Sequence, residues 1–254
     1  MTEAEKVEVR AAIATLQKLV AVAPVARLGL IAPLYAYPAG AGLAAWNALI
    51  GAAAKVPVIA VANPGSGPGA AADPAWTSVI GRAAAAGVRV VGYVSTSYGN
   101  RAVAAVQADI ATWWRLYPFV SGCFLDEVPT DAAHAPLYRD YCAAIRAKIP
   151  GRLVVGNPGA PCDPGYAGAT GCDVLVMRET AGVSVQLPTW AVPLPDTGFA
   201  VIVHGVSEPA MRAVVGNARG LGYGWTWVTD DADANVYDEI PTYFAAMVDA
   251  LAAG

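Results

Sequence analysis

Two adjacent carboxylates, Asp126 and Glu127, end an apolar stretch of the chain, and a third, Glu179, ends a later one. A carboxylate at the end of an apolar run loses part of its solvation, which costs free energy. Such a group is therefore expected to have an ion-pair partner or a functional role. A pair of carboxyl groups is the acid/base equipment for cleaving a glycosidic bond. These three residues are therefore the candidate catalytic groups; the alternative is that they merely cap strands.

Eight short β-branched runs precede these and other polar positions, and their starts lie 21 to 32 residues apart. One βα unit with its two loops needs about that length. The predicted strands are 28–35, 57–63, 89–96, 120–126, 152–157, 173–179, 200–205 and 223–229. The alanine-rich stretches between them predict helices at 41–54, 74–86, 101–116, 134–148, 207–220 and 235–252.

This alternation predicts the α/β class and a single (β/α)8 TIM-type barrel over residues 1–254. An open doubly wound sheet is the alternative, but eight units without a break in composition favour the closed barrel. Residues 3–20 predict an extra helix, so that an N-terminal segment, 1–24, would pack on the barrel.

The composition excludes several classes of partner. Of the 254 residues, 56% are hydrophobic and 14% charged, which suits a large core and not a disordered chain. The net charge of −4 argues against nucleic acids and anionic membranes. The uncharged stretch 28–54 contains prolines and glycines, so we expect a strand, a loop and a helix there and no membrane span. We expect the substrate to be a poly- or oligosaccharide and the chain to be a monomer.

Barrel chemistry is built at the carboxyl ends of the strands, and the residue types found there suit a sugar polymer. Aromatic faces stack on sugar rings, and amide and phenol groups bond to hydroxyls. The candidate sugar-binding residues are Tyr35, Tyr37, Asn63, Tyr93, Tyr98, Asn157, His204, Trp225, Trp227 and Asp230. We expect no cofactor, because the glycine-rich stretch after strand two is a poor dinucleotide motif. A Schiff-base aldolase is also excluded, because no lysine lies in a predicted strand.

No metal site is expected. His134 and His204 lie in different βα units, and the acidic run from Asp231 lacks the glycine and glutamate of a calcium loop. We interpret that run as an acidic cap on the last helix. Among the cysteines, Cys123 and Cys142 are expected in the core as thiols.

A glycine- and proline-rich loop is bracketed by Cys162 and Cys172. A disulfide between them would staple a loop that lacks its own core. The sequence leaves this disulfide and two free thiols equally open. The disulfide would indicate an oxidising compartment.

The same strand ends resemble the spherulation-specific family 4 (spherulin-4-like) proteins, which are related to glycoside hydrolase family 135. The matching blocks are PLYAYP, VPVIAVANPGSGPG, AGVRVVGYVSTSYGNR and the W-x-x-x-YP-x-V-x-G-x-FLDE run ending at Glu127. The resemblance implies a secreted (β/α)8 enzyme that cuts α-1,4-linked N-acetylgalactosamine in galactosaminogalactan. It places the catalytic roles on Asp126, Glu127 and Glu179. The first ten residues do not resemble an export signal, so the location stays open.

Adjacent acids on a strand point to opposite faces unless the backbone turns, which Pro129 makes plausible. In an α-linked galactosamine the 2-acetamido group is cis to the leaving oxygen, so a protein carboxylate or water must attack instead. We expect Glu127, in preference to Asp126, to act with Glu179 as the acid/base and nucleophile pair. The alternatives are a catalytically silent carbohydrate-binding or spore-surface protein on the same barrel, and an intracellular sugar-processing enzyme of another barrel family.

Overall fold

The computed structural model describes residues 28–149, 153–182, 186–191 and 198–253. Eight parallel strands form a closed barrel in chain order, in which each strand bonds to the next and the last to the first. This confirms the predicted (β/α)8 fold. The strands are β1 (Gly29–Pro33), β2 (Val58–Ala62), β3 (Arg89–Ser95), β4 (Gly122–Asp126), β5 (Leu153–Gly156), β6 (Val174–Ala181), β7 (Phe199–His204) and β8 (Trp225–Val228).

Six helices surround the barrel among the described residues. They are α1 (Gly40–Ala52), α2 (Pro74–Ala85), α3 (Val103–Leu116), α4 (Ala135–Lys148), α5 (Glu208–Leu221) and α6 (Phe244–Ala252). In the described part of the chain, no helix is long and apolar enough to cross a membrane. The predicted helix at 3–20, and with it the segment 1–24, lies outside the described residues.

The contact between α3 and β3 shows how the helical layer positions a strand that carries site residues. A Cβ atom at Gly92 would lie 2.2 Å from the Trp113 ring, so glycine alone lets the helix approach this closely. The Trp113 indole then donates to the Tyr93 carbonyl oxygen over 2.8 Å. The fully buried indole therefore holds the end of β3 in place, with Tyr93 directed to the carboxyl end of the barrel.

The last helix is shorter than the predicted 235–252, because α6 begins at Phe244. Pro241 lies within the predicted span, and a proline inside a helix removes a hydrogen bond and clashes with the preceding turn. The acidic run does not cap the helix as predicted. Instead, the Asp231 carboxylate accepts from the Asp233 backbone N–H over 2.9 Å and so folds the connecting loop.

All four cysteines are buried thiols, and Cys162 is not joined to Cys172. Instead, the Cys172 sulfur lies 4.0 Å from the sulfur of Cys142 on α4. The Cys172 backbone N–H donates to the Tyr166 carbonyl over 2.7 Å, which turns the loop onto the helix. The loop cysteine thus faces a residue that the sequence assigned to the core.

We expect Cys142 and Cys172 to form the disulfide if the chain is refolded in a glutathione redox buffer. The two thiols lose two protons and two electrons to oxidised glutathione, and closing a loop of 30 residues should stabilise the fold by about 3–4 kcal/mol. Peptide mapping by mass spectrometry without reduction identifies the linked pair. Cys162→Ser should cross-link normally; a linked peptide that contains Cys162 contradicts the expectation.

Candidate active site

A cavity of about 450 Å³ opens at the carboxyl ends of the strands and brings the three predicted carboxylates together. β4 supplies the first carboxylate and its following turn the second, while the longer β6 supplies the third. The lining residues are Tyr98, Asp126, Glu127, Asn157, Pro158, Gly159, Glu179 and His204. The mouth of the barrel is therefore an acidic pocket with amide, imidazole and phenol groups around it.

One amide links two of these carboxylates. The Asn157 side-chain nitrogen donates to Asp126 Oδ1 over 2.8 Å and to Glu179 Oε2 over 2.7 Å. The Asn157 oxygen accepts from the Gly159 backbone N–H over 3.0 Å, which fixes the orientation of the amide. Two oxygens bonded to one nitrogen lie no further apart than twice the longer bond, about 5.6 Å. Asp126 and Glu179 are thus held as a close pair.

Two tyrosines support this pair from the inner side. The Tyr237 hydroxyl donates a short hydrogen bond to Glu179 Oε1, and the Tyr93 hydroxyl lies against Asp126. Burial and the neighbouring carboxylates raise the pKa of both phenols far above the usual value, so both remain donors. Sequence reasoning missed Tyr237 because it fell in the predicted last helix. Its place between the end of strand eight and Pro241 is the signal that could have found it.

The pKa of the Asp126 carboxyl is raised. Burial is the main cause, and the negative charge on Glu179 adds to it. Hydrogen bonds from Tyr93 and Asn157 act in the opposite direction without cancelling the rise in pKa. Asp126 therefore holds a proton more readily than an ordinary aspartate, which is the property of a general acid.

Glu127 reaches the same cavity as Asp126 because its backbone adopts a left-handed conformation, with φ of 56°. A non-glycine residue rarely does so, and the turn at Glu127 replaces the alternation to opposite faces. The backbone thus turns at the acid pair, two residues before Pro129. The Glu127 carboxylate accepts from the Ser95 hydroxyl over 2.5 Å and from the Ser97 backbone N–H over 3.1 Å.

A second left-handed turn holds the first. Ser97 and Tyr98, which follow β3, have φ of 47° and 54°. The Tyr98 backbone N–H donates to the Glu127 carbonyl over 2.7 Å, and the Thr96 hydroxyl donates to the Asp126 carbonyl over 2.7 Å. Backbone strain of this kind persists where the surrounding structure enforces it and is frequent at functional sites. Here it leaves the Tyr98 ring 58% exposed at the mouth.

Five of the predicted sugar-binding residues lie in or directly behind the cavity. Tyr98, Asn157 and His204 line it. The Tyr35 and Tyr93 rings pack edge to face behind it, with centroids 5.7 Å apart. Because these residues come from four different strands, the closed barrel is what brings them together.

Trp225 and Trp227 do not lie at the mouth. Trp225 is the first residue of β8, so it lies at the opposite end of the barrel, where the Arg89 guanidinium covers its ring at 4.8 Å. Trp227 is fully buried, and its ring packs against Phe244 of α6. The prediction counted both residues with the carboxyl end of strand eight, whereas β8 begins at Trp225 and the Trp227 ring packs against the helical layer.

Asn63 and Asp230 stabilise loops. The Asn63 side chain accepts from the Gly67 backbone N–H over 2.9 Å, within the glycine-rich stretch after β2. The Asp230 carboxylate accepts from the backbone N–H of Thr242 over 3.1 Å and also from its hydroxyl. Tyr37 lines a second cavity beside the first. In the described part of the chain, no three His, Cys, Asp or Glu side chains are grouped so as to hold a metal ion.

The profile of spherulation-specific family 4 matches residues 29–251. The chain belongs to this family. Spherulin-4 from Physarum polycephalum is 33% identical over 236 residues, which are 87% of this chain and 69% of the relative. The crystal structure of Aspergillus clavatus Sph3 in complex with GalNAc has a TM-score of 0.74 and 26% identity, covering 89% of this chain and 98% of that one. The resemblance identified from the sequence blocks is confirmed.

We expect Asp126→Asn to raise the stability of the fold at neutral pH. Because the pKa of Asp126 is raised on folding, its contribution to stability is complete below the unfolded value of about 4 and is lost as the pH rises through the folded value. A difference of one between the folded and unfolded pKa values corresponds to about 1.4 kcal/mol. Urea unfolding at several pH values measures the difference in stability between the two proteins.

The advantage of Asp126→Asn should therefore grow from pH 4 to pH 8. The matched control is Asp140→Asn, at an exposed position on α4, which should change stability little at any pH. A variant that is less stable than the wild type by the same amount at every pH would show that the amide fits poorly and that the charge is not the cause.

Proposed function

We propose that this protein is a glycoside hydrolase that cleaves an amino-sugar polysaccharide, acting within chains of α-1,4-linked (N-acetyl)galactosamine. The observation that carries the proposal is the Asn157 amide, which holds Asp126 and Glu179 together at an open mouth. The structural similarity to Sph3, whose crystal structure contains GalNAc, supports an amino sugar as the substrate. Exposed Tyr98 offers an aromatic face for such a ring.

Asp126 and Glu179 are the proposed catalytic pair. Their facing oxygens lie no more than about 5.6 Å apart, which is below the roughly 6.5–9.5 Å of inverting glycosidases and compatible with the roughly 5–5.5 Å of retaining ones. This gives Asp126 the role that the sequence analysis preferred for Glu127. The Glu127 carboxylate is engaged by Ser95 and Ser97 on the cavity wall, a position that suits gripping the sugar.

The raised pKa of Asp126 assigns the two roles. Protonated Asp126 gives its proton to the glycosidic oxygen while the Glu179 carboxylate attacks the anomeric carbon, so the leaving sugar departs as an alcohol. Asp126, now ionised, takes a proton from water, which attacks the glycosyl ester and restores Glu179. The substrate's acetamido group lies on the leaving-group face in an α-linked chain, so Glu179 is the attacking group from the other face.

Asn157 and Tyr237 position the nucleophile. Each donates a hydrogen bond to a different oxygen of Glu179, so the two bonds together fix the orientation of its carboxylate. The same Asn157 nitrogen bonds to Asp126, so the amide also sets the separation between the two carboxyl groups.

Asp126→Asn and Glu179→Gln should each lower turnover by at least about a thousandfold, because each removes an acid/base or nucleophilic group. Glu127→Gln is the matched control and should stay within about tenfold of the wild type, since an amide keeps its bonds on the wall. Release of reducing ends from α-1,4-galactosamine oligosaccharides, with a neutral glucan in parallel, measures turnover, and circular dichroism checks folding.

Full activity of both Asp126→Asn and Glu179→Gln would exclude the pair. Loss in Glu127→Gln with activity retained in Asp126→Asn would return the role to Glu127. A wild-type protein that binds the oligosaccharides and releases no reducing ends would instead be the silent carbohydrate-binding protein.

We expect hydrolysis to proceed with retention of the anomeric configuration, because two successive displacements at one carbon restore its stereochemistry. Proton NMR of the first product, recorded before mutarotation, should show the α-anomer. An initial β-anomer would indicate direct attack by water and a single displacement, and would remove Glu179 as the nucleophile.

A further inference from the structure

A second cavity, of about 680 Å³, lies beside the catalytic one and is the larger of the two. Tyr35 and Tyr37 line it on the β1 side, and Asp238, Glu239 and Ile240 line it from the loop after β8. Small residues at the start of α1 complete its wall. The proposed catalytic step uses none of the groups that face this space.

Tyrosine rings connect the two cavities. The Tyr35 ring contacts Tyr93 at 5.7 Å and Tyr237 at 5.5 Å between centroids. Those two tyrosines are the ones that lie against Asp126 and donate to Glu179. Tyr35 thus lines the second cavity and touches both supports of the catalytic pair. When one sugar unit of a polymer occupies the catalytic cavity, the neighbouring unit lies next to the second cavity.

The Tyr35 hydroxyl is a polar group without a protein partner among the described residues. The residue is half-buried, and burial raises the pKa of its phenol well above the usual value. Its backbone N–H donates to the Tyr237 carbonyl over 2.7 Å, but its hydroxyl makes no hydrogen bond to any described residue. Because Tyr35 lines the second cavity, its hydroxyl is available for a hydrogen bond with a ligand hydroxyl there.

Tyr37 provides a fixed aromatic face. Its ring is 52% exposed, yet its hydroxyl donates to Asp73 over 3.1 Å and its ring packs edge to face against Trp76. A close contact at the start of α1 also restrains its backbone, because a Cβ at Gly42 would lie 2.1 Å from the Tyr37 carbonyl oxygen. An exposed aromatic ring held in one orientation can stack on a sugar ring with little loss of entropy.

The charge of the cavity selects among sugars. The Asp238 and Glu239 carboxylates are exposed on its rim, and no lysine or arginine lines it among the described residues. A neutral or N-acetylated sugar gains nothing from this charge, whereas a protonated amine is attracted by it. We infer that this cavity is a second sugar subsite, which binds a hexosamine unit with a free amino group next to the unit that is cleaved. The inference rests on the proposed function, which supplies the amino-sugar polymer as the ligand class.

The test measures binding without turnover, in the full chain carrying the inactivating substitution Asp126→Asn. Galactosamine oligosaccharides with free amines, and fully N-acetylated ones of equal length, are titrated in a calorimeter at low salt. Replacing both rim acids, by Asp238→Asn with Glu239→Gln, should weaken binding of the free-amine oligosaccharides about fivefold and leave the N-acetylated ones unchanged. Added salt should reduce the difference, because the carboxylates are exposed.

Two controls separate the contributions. Asp140→Asn removes an exposed charge elsewhere and should affect neither ligand. Tyr37→Ala should weaken both ligands, since stacking does not depend on the amine. Equal weakening of both ligands by the double variant, or no weakening of either, overturns the inference.

Failure of the proposed function is seen separately. If the wild-type protein cleaves neither kind of polymer, the hydrolase assignment fails, while the calorimetric comparison still decides the subsite. If the wild type cleaves both and the rim variant keeps the wild-type KM for the free-amine polymer, the subsite fails and the hydrolase stands.

Discussion

A single uncharged amide sets the geometry of this site. Asn157 holds two carboxylates by one nitrogen, and an amide has no charge with which to cancel their repulsion. Burial is the main cause of the raised pKa of Asp126, and the repulsion that the amide leaves in place adds to it. A lysine or arginine in place of Asn157 would pair with both acids and hold them ionised, which would remove the proton that a general acid needs. The rest of the barrel therefore supports two carboxyl groups that lie close together without a positive charge between them.

Placing that amide requires the whole barrel mouth. The Asn157 backbone N–H donates to the Leu125 carbonyl over 2.8 Å, and the Glu179 N–H donates to the Gly159 carbonyl over 2.9 Å. These bonds continue the ladders of β4, β5 and β6 beyond the strand ends. The left-handed turn at Glu127 lies within this framework, and the strain is tolerated because the neighbouring bonds leave no alternative conformation. The same backbone hydrogen bonds make the scaffold rigid and position the side chains of the site.

The alternation of apolar runs made the barrel predictable, and the barrel made the meeting of Asp126, Glu127 and Glu179 predictable, because parallel strands end at one face. The orientation and role of each side chain could not be predicted in the same way, because they depend on local backbone conformation and exact strand boundaries. The positive φ at Glu127 breaks the alternation on which its orientation was judged. Trp225, which the sequence assigned to the mouth, is the first residue of β8 and lies at the opposite end of the barrel. Boundaries are the least certain part of a sequence interpretation, and binding residues sit at boundaries.

Tyr237 shows how an irregular segment completes the site. Among the described residues, β1 and β8 pair at Gly29 and Leu30, whereas β3 and β4 pair over five positions. Above Leu30 the ladder opens, and the loop after β8 enters the gap, where the Tyr237 carbonyl accepts from the Tyr35 N–H. The Tyr237 side chain then reaches Glu179. The irregular closure of the barrel is thus what places a phenol on the proposed nucleophile.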